Sequence, residues 1–291
     1  MKRAPAFVCH VALFAAIMAL LPVVAGTVRA ALSSPPSIDD PGLLNDAQTV
    51  HERDPARGVL FQGRGIKLVS DNKFKEALEQ FRRSAAYDPD NPTTLVNMAY
   101  CLDKLGRYEE ALAELDHAKS VDPGNPTIYL NWGNTLINMK RYDEALQPLQ
   151  MACDLAPSNQ LAHMNLAAAL TNVGHHEQAD QELAIAADLD CKNPTIFFNW
   201  AVVQSAEGRT EQAVEKYRRV IELDPKNLSA YYNCAALLEK LGRLDGAIEE
   251  IRAALEVAPD NDMLKDILAR LVQAQRQQVP AVIQPTSDRQ Q

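Results

Sequence analysis

The stretch at residues 106–127 reads GRYEEALAELDHAKSVDPGNPT, and the same chain contains two near-copies of it. They are GRTEQAVEKYRRVIELDPKNLS, which starts at residue 208, and GRLDGAIEEIRAALEVAPDN, which starts at residue 242. The three starting points differ by 34 residues or by a multiple of 34. A fixed period of this size predicts stacked supersecondary units of one kind, with each unit packed on the next.

Two residue types fix the period along the chain. A proline recurs every 34 or 68 residues, and an alanine always lies twelve residues before the proline slot. The prolines are Pro89, Pro123, Pro157, Pro225 and Pro259, with Cys191 in the remaining slot, and the alanines are Ala77, Ala111, Ala145, Ala179, Ala213 and Ala247. With the proline slot as position 32, six repeats span residues 58–91, 92–125, 126–159, 160–193, 194–227 and 228–261.

Each repeat predicts two helices, named here helix A and helix B. Positions 4, 7, 8 and 11 share one face of helix A, and positions 20, 24 and 27 share one face of helix B. Position 8 is always Gly or Ala, and position 24 is always large, as in Phe81 and Leu149. The helix ends are predicted as well, by an Asn-Pro pair before helix A and by a glycine after it. The pairs are Asn91-Pro92, Asn125-Pro126 and Asn193-Pro194, and the glycines are Gly106, Gly174, Gly208 and Gly242.

This pattern over residues 58–261 resembles the tetratricopeptide repeat (TPR) family. The amphipathic pattern of residues 262–276, with Leu264, Ile267, Leu268 and Leu271 on one side, predicts a capping helix after the last repeat. The resemblance implies an all-α fold, a right-handed superhelical α-solenoid of six helix-turn-helix repeats. It also implies that helices A line a concave groove that holds an extended peptide or a partner's helix. Three residues depart from the family's pattern, namely Arg64 at position 7, Cys191 at position 32 and Gln204 at position 11.

The segments outside the repeats differ from them in composition. Residues 1–30 begin with Lys2 and Arg3, continue with an apolar run and end in small residues, which is typical of a cleaved export signal. An uncleaved membrane anchor is the alternative, because the run approaches the length of a membrane span. We expect residues 31–57 to form a flexible tether and residues 277–291 a disordered tail. Either reading of the N-terminus places the repeats outside the cytoplasm, in the periplasm or secreted.

Composition excludes several classes of partner and of site. The net charge is −9, and without residues 1–30 it becomes −12, so nucleic acid and anionic membrane are not expected partners. No phosphate-binding loop, nucleophile motif or zinc-type cysteine spacing is present, and we therefore expect no enzyme, metal or cofactor. The four cysteines after Cys9 are scattered and are expected to be small core side chains.

Asparagine at position 6 of helix A is the main candidate for function. Repeats 2–6 all carry it, as Asn97, Asn131, Asn165, Asn199 and Asn233. In a helix interior Asn costs about half a kcal/mol relative to Ala, and position 6 points away from the face formed by positions 4, 7, 8 and 11. A carboxamide can bond both the C=O and the N–H of a peptide backbone. The ladder therefore predicts contact with a partner, and bonding to neighbouring helices or water is the alternative.

Position 5 and one further amide complete the candidate site. Position 5 is apolar in the same five repeats, and Asn134 lies near the ladder on helix A of repeat 3. An exposed apolar ribbon would bind side chains of a partner, and packing under the next helix A is the alternative. The position-5 residues are Val96, Leu130, Met164, Phe198 and Tyr232. The lysines with which some members of the family bind a C-terminal carboxylate are missing at this position, so that ligand is not expected.

These features predict an exported, non-enzymatic scaffold that binds a protein or an extended peptide in its groove. A holding chaperone or assembly factor for envelope or secreted proteins is the alternative and would use the same groove transiently. A subunit of an enzyme is a third class, but the residues outside the repeats are too few for a catalytic domain.

Overall fold

A computed structural model describes residues 54–278, and within this range every secondary-structure element is an α-helix. The predicted all-α fold of paired helices is confirmed. Thirteen helices follow one another in the described range: α1 (Pro55–Ser70), α2 (Phe74–Tyr87), α3 (Pro92–Lys104), α4 (Tyr108–Val121), α5 (Pro126–Asn138), α6 (Tyr142–Leu155), α7 (Gln160–Val173), α8 (His176–Leu189), α9 (Pro194–Ala206), α10 (Thr210–Leu223), α11 (Leu228–Lys240), α12 (Leu244–Val257) and α13 (Asp262–Gln278).

The described chain divides into two compact units between Val173 and Gly174, that is, between the two helices of repeat 4. In the N-terminal unit, α1 packs on α2, α3 on α4 and α5 on α6, and α7 then packs on α6. In the C-terminal unit, α8 packs on α9, α9 on α10, α11 on α12, and α13 closes the series against α12. No helix in residues 54–278 combines the length and the apolar character that crossing a bilayer would require.

The ends of the helix-A elements follow the residues that predicted them. The side chains of Asn91, Asn125 and Asn193 each accept a hydrogen bond from a backbone N–H of the first turn, with Pro next in the chain. Position 15, just after helix A, has a left-handed backbone in all six repeats. Four of these residues are the predicted glycines, with φ between 73° and 93°, whereas Asn72 has φ 57° and Lys140 has φ 61°.

The boundaries at both ends of the repeats differ slightly from the expectation. Helix α1 begins at Pro55, so residues 55–57 belong to a helix and not to the tether. The cause is local, because the Asp54 carboxylate accepts a hydrogen bond from Arg57 N at 3.2 Å and Pro55 suits a first helical turn. Helix α13 ends at Gln278, two residues beyond the expected capping helix. Residues 1–53 and 279–291, which include the export segment, lie outside the described residues.

The small residue at position 8 makes room for the large residue at position 24. A Cβ atom placed on Gly65 would lie 2.5 Å from Cε1 of Phe81, and one placed on Gly133 would overlap the side chain of Leu149. Phe81 and Leu149 are fully buried. The close approach predicted within a repeat is therefore an approach of the helix-A backbone to a side chain of helix B.

A second buried seam runs along helix A at positions 3 and 10, and the sequence reading missed it. In repeats 2–6 these positions are buried in every case, although several of the residues are polar or small. They are Thr94, Ile128, Ala162, Ile196 and Ala230 at position 3, and Cys101, Thr135, Ala169, Val203 and Leu237 at position 10. In α13, Leu264 and Leu271 occupy the same two positions and are each 1% exposed, so α13 covers the last repeat as a further helix A would.

Candidate functional site

The five asparagines at position 6 are all partly exposed. Three of them lie on α3, α5 and α7 of the N-terminal unit, and two lie on α9 and α11 of the C-terminal unit. Their burial is intermediate because the neighbouring positions 3, 5 and 10 of the same helices are taken up by packing. Both uses that the sequence left open, contact with a partner and contact with neighbouring helices, are therefore sterically available to these side chains.

Hydrogen bonds within the protein already engage three of these amides. Asn131 donates from Nδ2 to the carbonyl oxygen of Thr127 at 2.8 Å, within its own helix. Asn165 donates to Oδ1 of Asn134 at 2.6 Å, which joins α7 to α5. In the C-terminal unit, Asn233 donates to the hydroxyl oxygen of Tyr217 at 3.2 Å. The structural alternative thus accounts for one N–H of each of these three amides, and within residues 54–278 no donor is directed at their carbonyl oxygens.

The position-5 residues do not form an exposed apolar ribbon. Four of the five are buried, with exposures of 7% for Val96, 2% for Leu130, 5% for Met164 and 8% for Phe198. In the middle of each unit, neighbouring helices enclose helix A on several sides. These four residues therefore pack inside the protein, as the alternative to an exposed ribbon stated. Tyr232, near the end of the C-terminal unit, is 43% exposed and remains available to a partner.

Position 13 carries further amides that the sequence reading did not select. Asn138 on α5 donates from Nδ2 to both carboxylate oxygens of Asp103 on α3, each at 2.9 Å. Asn172 on α7 is exposed and donates to the carbonyl oxygen of Ala168 at 2.8 Å. The signal was present in the sequence, because position 13 lies two helical turns after position 6 and therefore on the same side of the helix.

A region of mixed charge borders these amides at the end of α3. Asp103 is only 9% exposed, and Lys104 Nζ lies 4.0 Å from its Oδ2, beyond hydrogen-bonding distance. The same ammonium lies 5.2 Å from the ring centre of Tyr100. Burial, followed by the neighbouring Cys101 and Asp103, raises the pKa of the Tyr100 hydroxyl, so this group stays neutral at physiological pH.

No disulfide joins the cysteines of the described range. Cys101, Cys153 and Cys234 are buried, as expected of small core residues, whereas Cys191 is exposed. Burial raises the pKa of Cys101 and of Cys234 to about 12. A thiol of that pKa carries almost no thiolate at neutral pH, so neither residue has the character of a nucleophile.

Comparison with known proteins agrees with this architecture. A sequence profile described as Tetratricopeptide repeat matches residues 68–129 and 205–271. No curated protein sequence matches the chain significantly.

Three solved structures are similar in fold. YrrB, described as a TPR protein with an unusual peptide-binding site, has 23% identity and a TM-score of 0.55 and aligns over 67% of this chain and 97% of its own. PilF of Pseudomonas aeruginosa has 18% identity and a TM-score of 0.62, over 74% of this chain and 98% of its own. PilW, described as a type IV pilus biogenesis factor, has 17% identity and a TM-score of 0.65, over 72% and 98%. With its 34-residue period, its paired helices and this profile match, the chain is a member of the tetratricopeptide repeat family.

Proposed function

We propose that this protein is an exported, non-enzymatic scaffold that binds a protein or an extended peptide on the exposed side of its helix-A elements. The observation that carries the proposal is the set of half-exposed asparagines at position 6, which recur on successive helices of each unit. Asparagines in helix interiors are unfavourable unless they gain contacts, and within residues 54–278 no donor is directed at Oδ1 of Asn131 or Asn165. A backbone N–H of a bound segment is a suitable donor to such oxygens.

A non-catalytic role is supported by the chemistry of the groups that could have served as nucleophiles. The thiols of Cys101 and Cys234 are held in the neutral form by burial. TPR domains generally act as scaffolds for protein interactions, and YrrB is described as peptide-binding. Partner capture therefore fits the residues better than a reaction does.

Replacing Asn131 and Asn165 together by Ala tests the proposal. We expect capture of partners from native envelope extract to fall at least about fivefold, as the loss of one or two hydrogen bonds predicts. The helical circular-dichroism spectrum should stay unchanged, because both side chains are partly exposed. Gln147→Ala, at an exposed position of α6, is the matched control. If the double variant captures partners as strongly as the control variant does, the proposed binding face is wrong.

A holding chaperone or assembly factor is the second candidate, since PilW is described as a type IV pilus biogenesis factor. The two roles differ in selectivity. A chaperone would suppress the aggregation of several unrelated unfolded proteins at near-equal molar ratio, whereas a scaffold would not. Light scattering of heat-denatured test proteins, with and without the purified chain, distinguishes them.

Export rests on residues 1–30, with Lys2 and Arg3 before the apolar run and Val28-Arg29-Ala30 at its end. Sequencing the N-terminus of the mature protein tests this part on its own. We expect a start near residue 31 after cleavage, and a start at Met1 would leave only the anchor.

A further inference from the structure

Helix α1 exposes three large aliphatic side chains that are called here the α1 face. They are Val59, Leu60 and Ile66, which are 44%, 37% and 38% exposed. Leu60 occupies position 3, and the residue at this position is 0% exposed in each of the other five repeats. In repeats 2 and 3 the helix B of the preceding repeat packs there, α2 on α3 and α4 on α5. Adjoining exposed apolar side chains usually mark a contact surface.

The 34-residue period continues to the N-terminal side of α1. Pro55 lies 34 residues before Pro89 and therefore occupies the proline slot of an earlier, incomplete repeat. In that register, residues 40–53 take positions 17–30, which form helix B in the complete repeats. Apart from Pro41, the apolar side chains of this segment occupy positions 20, 21, 24 and 27. They are Leu43, Leu44, Ala47 and Val50.

The same spacing predicts an amphipathic helix. Apolar residues at i, i+1, i+4 and i+7 share one side of a helix, and Asn45 and Thr49 fall on the opposite side. Asp40 before Pro41 is a typical helix start. Positions 20, 24 and 27 are buried in all six complete repeats, so the apolar side of residues 40–53 is the side that packs in every other helix B.

The backbone of Asp54 has the conformation with which the complete repeats end helix B. Asp54 occupies position 31 of the incomplete repeat and has φ −128° and ψ 83°. The residue at position 31 of the six complete repeats has φ between −146° and −134° and ψ between 75° and 89°. In those repeats it directly follows the last residue of helix B. The start of α1 thus retains the exit geometry of a preceding helix B.

One contact between repeats shows which side chains would meet. Ser84 at position 27 and Thr94 at position 3 of the next repeat are buried, and their hydroxyl oxygens lie 3.1 Å apart. The residues at the same two positions here are Val50 and Leu60. A polar pair in one place and an aliphatic pair in the other are each matched in chemistry.

A departure from the repeat pattern fits an incomplete repeat. Position 20 is Ala in all six complete repeats, on the face of helix B that packs against its own helix A, whereas Leu43 occupies it here. Helix A of the incomplete repeat would need residues 24–36, which end in Pro35 and Pro36 and overlap the predicted export segment. Without that helix A, the small residue at position 20 is unnecessary.

We propose that residues 40–53 of this chain form a helix that folds back on α1 and covers the α1 face. This segment would close the apolar start of the repeats, as α13 covers repeat 6. Only Asp54 separates it from α1, so it competes for the face at a high effective concentration. The flexible tether expected for residues 31–57 is then limited to residues 31–39.

The reactivity of a thiol on the α1 face tests the proposal. A background with Cys9→Ser and Cys191→Ser leaves Cys101, Cys153 and Cys234, which are buried. Leu60→Cys is added, and its reaction with a maleimide is followed by mass spectrometry. We expect it to react at least about tenfold more slowly than the thiol of Ser70→Cys, an exposed position of the same helix.

Variants of the segment tie this protection to residues 40–53. Leu43→Asp together with Val50→Asp places charge on the apolar side, and the Leu60→Cys thiol should then react as fast as that of Ser70→Cys. Asn45→Asp together with Thr49→Asp adds the same charge to the opposite side and is the matched control. It should leave the protection unchanged.

The remaining results contradict the proposal. A Leu60→Cys thiol that reacts as fast as the exposed thiol without any change in the segment would show that residues 40–53 leave the α1 face open. Protection that survives Leu43→Asp with Val50→Asp and falls on dilution would mean that a second copy of the chain covers the face. Protection that survives both the double variant and dilution would assign the cover to other residues of the chain.

Discussion

Gln204 donates from Nε2 to Oδ1 of Asp180 across 3.1 Å, which joins α9 to α8 inside the C-terminal unit. The indole Nε1 of Trp200 donates to the same oxygen at 2.5 Å, and Arg209 forms an ion pair with it at 2.9 Å. Asp180 and Gln204 occupy positions 21 and 11, which hold an aliphatic residue in each of the other repeats. The two departures from the repeat pattern explain each other, because a buried polar side chain needs a partner.

Replacing one member of this pair should cost more than replacing both. Asp180→Leu is expected to lower the free energy of unfolding by about 2–3 kcal/mol, since it removes the acceptor of Trp200 Nε1 and Gln204 Nε2 and leaves Arg209 only its ion pair with Glu207 and its bond to Gln212. Gln204→Leu added to it should recover part of that loss, because Gln204 is 4% exposed and its Oε1 has no hydrogen-bond partner within residues 54–278. Leucine at both positions restores the pattern of the other repeats.

Urea denaturation measures this cycle. The chain has two tryptophans, Trp132 and Trp200, so a Trp132→Phe background leaves Trp200 to report on the C-terminal unit. Losses that simply add in the double variant would show that Asp180 and Gln204 do not interact energetically.

The charge of Asp180 predicts how this unit responds to acid. Burial raises the pKa of Asp180, but the hydrogen bonds from Arg209, Trp200 and Gln204 outweigh it and hold the pKa below its usual value. The folded pKa is therefore lower than the unfolded value of about 3.9. The ionised carboxylate stabilises the fold above that value, and the stabilisation is lost as the pH falls through the folded pKa.

Asp180→Asn should consequently be less stable than the wild type at pH 7, and the difference should shrink toward zero below about pH 4. Urea midpoints at pH 7, 5 and 3.5, read from Trp200 fluorescence, check this. The exposed Glu177 gives the control variant Glu177→Gln at the same end of α8. A difference between Asp180→Asn and wild type that stays constant over the range would mean that the contacts matter without the charge.

The sequence predicted the features whose signals are local and recur in every repeat. Asn125 before Pro126 and Gly106 after α3 each act within one or two turns, so six copies of the pattern located the helices. The buried seam at positions 3 and 10 was missed because residues such as Thr94 and Thr135 do not look apolar, and only the neighbouring helix buries them. The Asp180–Gln204 contact was missed because the residues lie in different repeats, each as an isolated exception.

The candidate site was predicted less completely for a related reason. The recurrence of Asn at position 6 identified half-exposed side chains, but it gave no information on which atoms of Asn131 or Asn165 are already bonded. The burial of Leu130 and Phe198 depends on neighbouring helices and not on their own helix. Exposure and hydrogen bonding are tertiary properties, whereas a repeat pattern reports only what recurs.

Two glycines of α1 should respond in opposite ways to alanine. Gly65→Ala places a Cβ 2.5 Å from the ring of Phe81, which is fully buried and cannot move without repacking. We expect a loss of about 1–3 kcal/mol in the free energy of unfolding. Gly63→Ala meets no atom within 4 Å and should stabilise the same helix by about 0.5–1 kcal/mol. Thermal melts of both variants decide the matter, and a Gly65→Ala protein as stable as Gly63→Ala would refute the tight seam between positions 8 and 24.

Lys140 should be a weak point of the N-terminal unit that a single substitution corrects. It occupies position 15 with φ 61°, where Gly106 has φ 73°, and a left-handed backbone costs a residue with a Cβ about 1–2 kcal/mol. The side chain of Lys140 is exposed, so little packing is lost when it is removed. Lys140→Gly should therefore raise the free energy of unfolding by up to about 1 kcal/mol, with part of the gain offset by the freer unfolded chain.

Gly106→Ala is the reciprocal variant and should destabilise by a similar amount, because nothing lies within 4 Å of its Cβ and only the backbone is strained. Thermal melts check both variants. A Lys140→Gly protein that melts at or below the wild-type temperature would show that the left-handed turn after α5 is not a source of strain.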